Sequence, residues 1–191
     1  MQFVKPKPKF TFGPKNKFTF GKSDKKIKDV EPKDYSGIDY EIERKEDLKK
    51  FIDDPCLSAC EELFDKKIRT FDSGCSNICP DEAYVCIAYD SLDLKNKILA
   101  QKLIADGKAY LKKMTADDLY DDWCPESCLR VSIPTSLNDS VNDVSKKLFN
   151  VIAVFKKQDK FIERDEEAYN KRIENYNKYR LQILQSDNNV K

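Results

Sequence analysis

The chain contains no histidine among its 191 residues. Histidine is the usual general base of enzymes working near neutral pH and the commonest metal ligand of proteins. Its absence excludes the ordinary Ser-His and Cys-His pairs that activate a nucleophile. No other catalytic motif stands in its place, so we expect a protein that is not an enzyme.

Long apolar segments are also missing. No stretch approaches the roughly 18 apolar residues of a transmembrane helix, and no apolar run of about 7 to 15 residues follows the first lysines, as a secretory signal would require. The sequence therefore predicts a soluble, cytoplasmic protein that does not enter a membrane. The apolar fraction of 40% is large enough for an ordinary hydrophobic core.

Charge is distributed unevenly along the chain. Residues 1–28 hold nine lysines and a single acid, Asp24, a net charge of +8; because the whole chain carries +1, the remainder carries −7. Residues 1–37 are rich in lysine, proline and glycine and lack helical periodicity. We therefore predict a basic N-terminal arm over residues 1–37, attached to an acidic body.

The arm contains a short repeat. The block Lys-Phe-Thr-Phe-Gly begins at Lys9 and again at Lys17. In an extended strand, the two phenylalanines of each block lie on one face and the threonine on the other. An isolated two-stranded hairpin is marginal in water, so such an arm needs a partner or the body to complete it.

Two partner classes suit lysines interleaved with phenylalanines. A protein partner would take Phe-Thr-Phe as an added edge strand, and single-stranded nucleic acid would use the lysines for phosphates and the rings for bases. We predict a non-enzymatic interaction protein, an assembly component, adaptor or inhibitor, with nucleic-acid binding through the same arm as the alternative. The predicted contact residues are Lys9, Phe10, Phe12, Lys15, Lys17, Phe18, Phe20 and Lys22.

The two Phe-Thr-Phe-Gly blocks, at residues 10–13 and 18–21, resemble the Phe-x-Phe-Gly repeats of nucleoporins. The resemblance covers eight residues, and the spacers here are rich in lysine.

The body, predicted over residues 38–159, alternates strands and helices. Periodicity predicts strands at 38–42, 68–72, 83–89 and 129–133 and helices at 45–53, 54–66, 93–106 and 140–159. Residues 83–89 are apolar on both faces, which is typical of a central strand. The order predicts an α+β fold with a small antiparallel sheet and helices on one face, either ferredoxin-like (split βαβ) or another antiparallel arrangement.

Residues 160–191 form the last predicted unit, a long helix with a short tail. A narrow apolar seam repeats at sevenfold spacing through Ile162, Tyr169, Tyr176 and Ile183. The seam fits packing on the body or on another chain, and the spacing leaves both open.

The seven cysteines are an odd number, which favours free or metal-bound thiols over a closed disulfide set. Cys56 and Cys60 fall on the apolar stripe of a predicted helix and Cys86 falls inside a predicted central strand, so we expect all three to be buried. Four cysteines in loop-like segments make a four-thiolate zinc site the candidate cofactor site and a zinc-stabilised module a third hypothesis. The alternative is unpaired thiols or a disulfide; the four are Cys75, Cys79, Cys124 and Cys128.

Overall fold

The structure, a computed structural model, describes residues 25–33, 44–113 and 127–163 together with six single positions between 167 and 178. The strands are β1 (Thr70–Ser76), β2 (Cys79–Ala88), β3 (Ala109–Lys113) and β4 (Ser127–Pro134). The α-helices are α1 (Leu48–Phe51), α2 (Asp54–Asp65), α3 (Leu94–Ala105) and α4 (Val141–Ile152). The predicted α+β class is confirmed.

The four strands form one antiparallel sheet in the order β1-β2-β4-β3. β2 is the longest strand and pairs on both sides, as its two apolar faces predict. β4 pairs directly with β2 from Glu82 opposite Pro134 to Ala88 opposite Cys128. The ferredoxin-like arrangement stays a prediction, because residues 38–42, its expected first strand, lie outside the described residues.

Sequence periodicity missed strand β3. Only Ala109, Tyr110 and Leu111 are apolar before two lysines follow, which is too short a run to show alternation. The strand is stabilised by its pairing with β4, in which Ala109 and Leu111 lie opposite Val131 and Leu129.

One face of the sheet packs against the helices. Val85, Ile87, Leu129 and Val131 are fully buried in a single core together with α2, α3 and α4. Helices α2 and α4 bury the stripes that their spacing predicts, with Leu63 and Leu148 among the fully buried side chains.

Helix α3 is rotated relative to its predicted face. The apolar spacing over 93–106 predicts one buried face that contains Leu94, Ile98 and Leu103. Leu103 is buried, but Leu94 and Ile98 are 75% and 63% exposed. Asn96 and Ala100 are fully buried instead. The side chain of Asn96 bonds the backbone of Lys156 through both its amide nitrogen and its amide oxygen. This polar contact holds the face of α3 that carries Asn96 against the chain that follows α4.

Helix α4 ends at Ile152, before the predicted end at 159. The chain turns there because Phe155 is buried and Gln158 enters a polar site. The Gln158 amide group donates to the carbonyl oxygens of Lys67 and Ser91 and accepts a bond from the Asp93 backbone. Gln158 thereby joins the segment after α4 to the loop after α2 and to the loop before α3.

Residues 25–33, assigned above to the arm, belong to the body. Ile27 is fully buried and Val30 is 2% exposed. Asp53 holds this segment, since its carboxylate accepts bonds from the backbone N–H groups of Lys33 and Cys75. Asp53 immediately precedes α2, and its side chain makes these two bonds instead of capping the helix.

Beyond residue 163, the six described positions are helical, within the predicted C-terminal helix. Among the helices in the described ranges, none combines the length and the apolar character needed to cross a membrane.

Candidate functional site

The second face of the sheet carries the chemically distinctive side chains. Successive residues of a strand point to opposite faces of the sheet. Tyr84 and Cys86 on β2 therefore lie on the other face from the buried Val85, and Cys128 and Arg130 on β4 lie on the other face from Leu129. Cys86 and Cys128 are each 3% exposed but stand outside the helix-side core. We call this surface the second sheet face.

Side chains on the second sheet face form two parallel rows across the strands. The first row contains Gly74, Tyr84, Arg130 and Tyr110, in strand order β1, β2, β4, β3. The second row contains Asp72, Cys86, Cys128 and Lys112 in the same order. Between β2 and β4 each row runs diagonally. Tyr84 pairs directly with Ser132 and Cys86 pairs directly with Arg130, and the row continues with the residue two positions before that direct partner.

The first row is held together by stacking. The guanidinium carbon of Arg130 lies 3.4 Å from the centroid of the Tyr84 ring, and Arg130 also forms a salt bridge with Glu82. On its β1 side the ring lies so close to Gly74 that a Cβ atom there would be 3.0 Å from the ring edge. A side chain at position 74 would therefore press on the ring, which would have to shift.

Burial and charge shift the pKa values of this row. Burial raises the pKa of the Tyr84 phenol, and the nearby Asp72 carboxylate raises it further. Burial works to lower the pKa of Arg130, but the hydrogen bond with Glu82 raises it above its ordinary value. The row therefore keeps a neutral phenol stacked under a permanent cation.

The second row contains two neighbouring thiols, Cys86 and Cys128, at diagonal positions on β2 and β4. The Cys86 thiol donates to a carboxylate oxygen of Asp72 at 3.9 Å. The neighbouring Cys86 thiol lowers the pKa of Cys128, while burial and the Asp72 carboxylate act in the opposite direction. The neighbouring Cys128 thiol, together with burial, raises the pKa of Cys86.

Three other thiols lie on the helix side of the sheet. Cys56, Cys60 and Cys75 are at most 1% exposed, as helical spacing predicts for the first two. Burial raises the pKa of Cys60 to about 12 and that of Cys75 to about 11. Thiols of this kind are unreactive and serve as small apolar side chains.

The described residues do not bring the predicted zinc ligands together. Cys79 pairs with Ser76 at one end of β2, whereas Cys128 lies opposite Ala88 at the other end. Nine residues of strand separate these ends by about 30 Å, at roughly 3.3 Å per residue. A shared zinc site requires the start of β4 to lie beside the β1–β2 turn, but β4 runs antiparallel to β2 and starts at the far end.

The fourth predicted ligand, Cys124, lies outside the described residues. Within the described ranges, no group of three or more potential ligands is placed to hold a metal ion.

The arm joins the body at residues 25–33, which we call the arm root. Lys26 forms a β-bridge with Ser140, and the backbone N–H groups of Ile27 and Lys28 donate to the carbonyl oxygens of Asp139 and Leu137. Lys25 forms a salt bridge with Asp54 at 2.9 Å. The predicted contact residues, from Lys9 to Lys22, all lie outside the described residues.

Two exposed apolar side chains flank the arm root. Leu137 is 43% exposed, and its carbonyl oxygen accepts the bond from Lys28. Ile78 is 72% exposed and follows Asn77, whose backbone N–H donates to the carbonyl oxygen of Val30. We call Ile78 and Leu137 the flanking pair.

Sequence reasoning predicted the arm, whose contact residues lie outside the described residues, and missed the two rows of the second sheet face. Arg130 is the only charged residue of the predicted strand 129–133, and a lone charge inside an apolar strand is a usable signal for a paired side chain. The diagonal placement of Cys86 beside Cys128 has no such signal, because strand register is not visible in the sequence.

No protein-family model matches the chain, and comparisons with the curated proteins and with the solved structures find no match.

Proposed function

We propose that this protein is a non-enzymatic interaction protein, an assembly component, adaptor or inhibitor, that docks on a partner protein through its N-terminal Lys/Phe arm. The observation that carries the proposal is the anchoring of the arm root in the core. Ile27 and Val30 are buried, and the backbone of this segment is bonded to the chain just before α4 and to the β1–β2 turn. A partner that holds the arm would therefore also hold the body close by.

The arm supplies the chemistry of recognition. In a strand added to the edge of a partner's sheet, main-chain hydrogen bonds provide affinity and pockets for alternate side chains provide specificity. Phe10 and Phe12, and again Phe18 and Phe20, have the required alternate spacing. The lysines between the blocks would meet acidic groups at the rim of such a site.

The flanking pair favours a protein partner over a nucleic acid bound mainly through its phosphates. Ile78 and Leu137 are exposed apolar side chains beside the arm root. Apolar contacts of this kind bury well against a protein surface, whereas phosphates would be met by lysine and arginine.

The test uses the full chain as bait in a lysate of the source cells, with captured proteins quantified by mass spectrometry. The test variant changes Phe10, Phe12, Phe18 and Phe20 to Ala and leaves the charge unaltered. The control variant changes Thr11 and Thr19 to Ala, which alters the same blocks on the opposite strand face. We expect the phenylalanine variant to lose a defined set of proteins by roughly tenfold or more, as hot-spot aromatic residues do, and the threonine variant to keep it.

A second measurement addresses nucleic acid. Binding of a fluorescent single-stranded oligonucleotide to the full chain is followed at low and at high salt. Tight binding that weakens steeply with salt, with a captured protein set that is equal for all three baits, would overturn protein docking and establish the alternative.

A further inference from the structure

Strand β3 is one edge of the sheet. Among the described residues it pairs with β4 alone, so the backbone groups on its other side have no neighbouring strand there. Tyr110 is 49% exposed and Leu111 is 42% exposed, and successive residues of a strand point to opposite faces. These two are the exposed large apolar side chains of the described strands. The edge is therefore open, with an exposed apolar side chain on each face.

The same edge is positively charged. Residues 108–113 contain three lysines and no acid. Lys108 and Lys113, at the two ends of β3, are both exposed. Lysines on an edge strand disfavour pairing with a second copy of that strand, because like charges are brought close together. The arm of this chain is a poor match for the same reason, since lysines flank both of its Phe-Thr-Phe blocks.

From this exposure and charge we propose that β3 is a second docking site, at which an acidic, extended segment of a partner protein adds a strand to the sheet. Main-chain hydrogen bonds to the open edge supply affinity, and the side chains supply specificity. Apolar residues at alternate positions of the segment would cover Leu111 on the helix side of the sheet. Acidic residues at the ends of the segment would meet Lys108 and Lys113.

This site is separate from the arm. The arm root is bonded to the β1–β2 turn, where the backbone N–H of Asn77 donates to the carbonyl oxygen of Val30. β3 lies at the other edge of the sheet from β1, roughly 15 Å away at about 4.8 Å per strand. The protein can therefore hold an arm-dependent partner and an acidic strand at the same time, as an adaptor does.

The experiment is a nuclear magnetic resonance titration of the isotope-labelled full chain with the peptide Glu-Glu-Val-Glu-Val-Glu-Glu. We expect saturable shifts of the backbone amides of Ala109–Lys113. One control peptide has proline in place of both valines, which keeps the charge but removes N–H groups that the added strand needs. The other has lysine in place of every glutamate. Both controls should bind at least roughly tenfold more weakly.

A charge-reversal variant tests the lysines directly. Lys108→Glu combined with Lys113→Glu should weaken binding of the acidic peptide by roughly tenfold and strengthen binding of the lysine peptide. The matched control is Lys146→Glu combined with Lys147→Glu, which makes the same change of charge at two exposed positions of α4. The control variant should bind the acidic peptide as the unaltered chain does.

Three results would overturn the inference. The first is the absence of shifts in the β3 amides at millimolar concentrations of the acidic peptide. The second is equal binding of the proline peptide, which would show attraction by charge without strand addition. The third is a shift of the β3 amides with rising protein concentration alone, which would assign the edge to a second copy. The variant with Phe10, Phe12, Phe18 and Phe20 changed to Ala should bind the acidic peptide normally, so this inference and the proposed function fail separately.

Discussion

The guanidinium carbon of Arg130 lies 3.4 Å from the centroid of the Tyr84 ring. The two residues sit on neighbouring strands, and the ring is enclosed between Arg130 on β4 and Gly74 on β1. Contact between a cation and an aromatic face stabilises by about 0.5 to 2 kcal/mol, with the larger values at desolvated sites. This pair fixes the ring position, and the close approach at Gly74 follows from it.

We predict that Gly74→Ala destabilises the protein by about 1 to 3 kcal/mol, the usual cost of overpacking. The added Cβ would lie 3.0 Å from the Tyr84 ring, and the Arg130 stack hinders the ring from moving away. The free energy of unfolding, measured in urea, checks the prediction. An unchanged free energy would show that the ring is not confined.

A double-mutant cycle tests the cause of this effect. In a Tyr84→Ala background the steric conflict is gone, so Gly74→Ala should cost little there. Gly107→Ala is the control, since its positive φ of +69° is strained for alanine while no atom lies within 4 Å of the added Cβ. Its cost should be the same in both backgrounds.

The salt bridge between Lys25 and Asp54 should make the free energy of unfolding depend on pH. Partial burial works to raise the pKa of Asp54, but Lys25 and Lys33 lower it below its ordinary value. A carboxylate with a depressed folded-state pKa stabilises the fold above its unfolded pKa of about 3.9, and this stability is lost as pH falls through the folded value.

Asp54→Asn should therefore lower the free energy of unfolding at pH 7 by at most about 1 kcal/mol, because the side chain is 42% exposed. The difference between the two proteins should be smaller at about pH 3 than at about pH 7, because Asp54 becomes protonated as pH falls through its folded-state pKa. Urea unfolding at both pH values measures it. Asp143→Asn is the matched control, an exposed acid in the first turn of α4 with no salt bridge among the described residues; an equal pH effect there would exclude the lysines as the cause.

The flanking pair predicts a second contact with the docked partner. Ile78→Ser combined with Leu137→Ser should weaken capture of the arm-dependent protein set by roughly tenfold, since buried apolar contacts at interfaces contribute on this scale. The fold should be unaffected, because both side chains are exposed. Quantitative capture and thermal unfolding are measured together.

The matched control for this prediction is Leu94→Ser combined with Ile98→Ser on α3. These side chains are also exposed and apolar, and they lie on a helix that packs against β3 and the chain after α4. Equal losses for the two double variants would show that general surface apolarity, and not the flanking pair, governs capture.

Local sequence patterns determined the elements of this fold. Strand β2 was predicted because residues 83–89 are apolar on both faces, and α2 because its apolar residues recur at helical spacing. These patterns suffice because a side chain's direction repeats every two residues in a strand and every 3.6 in a helix. The one missed strand, β3, has too few apolar residues for its period to show.

Tertiary structure alone decided how the elements combine. Pairing of β4 with β2 placed Cys86 on the diagonal from Cys128 and separated Cys79 from Cys128, two of the four predicted zinc ligands. Burial of Ile27 placed the arm root inside the body although its composition resembles that of the arm. The physical reason is that strand order and register depend on contacts between residues far apart in the chain, and a one-residue change of register would turn each of these side chains to the other face of the sheet.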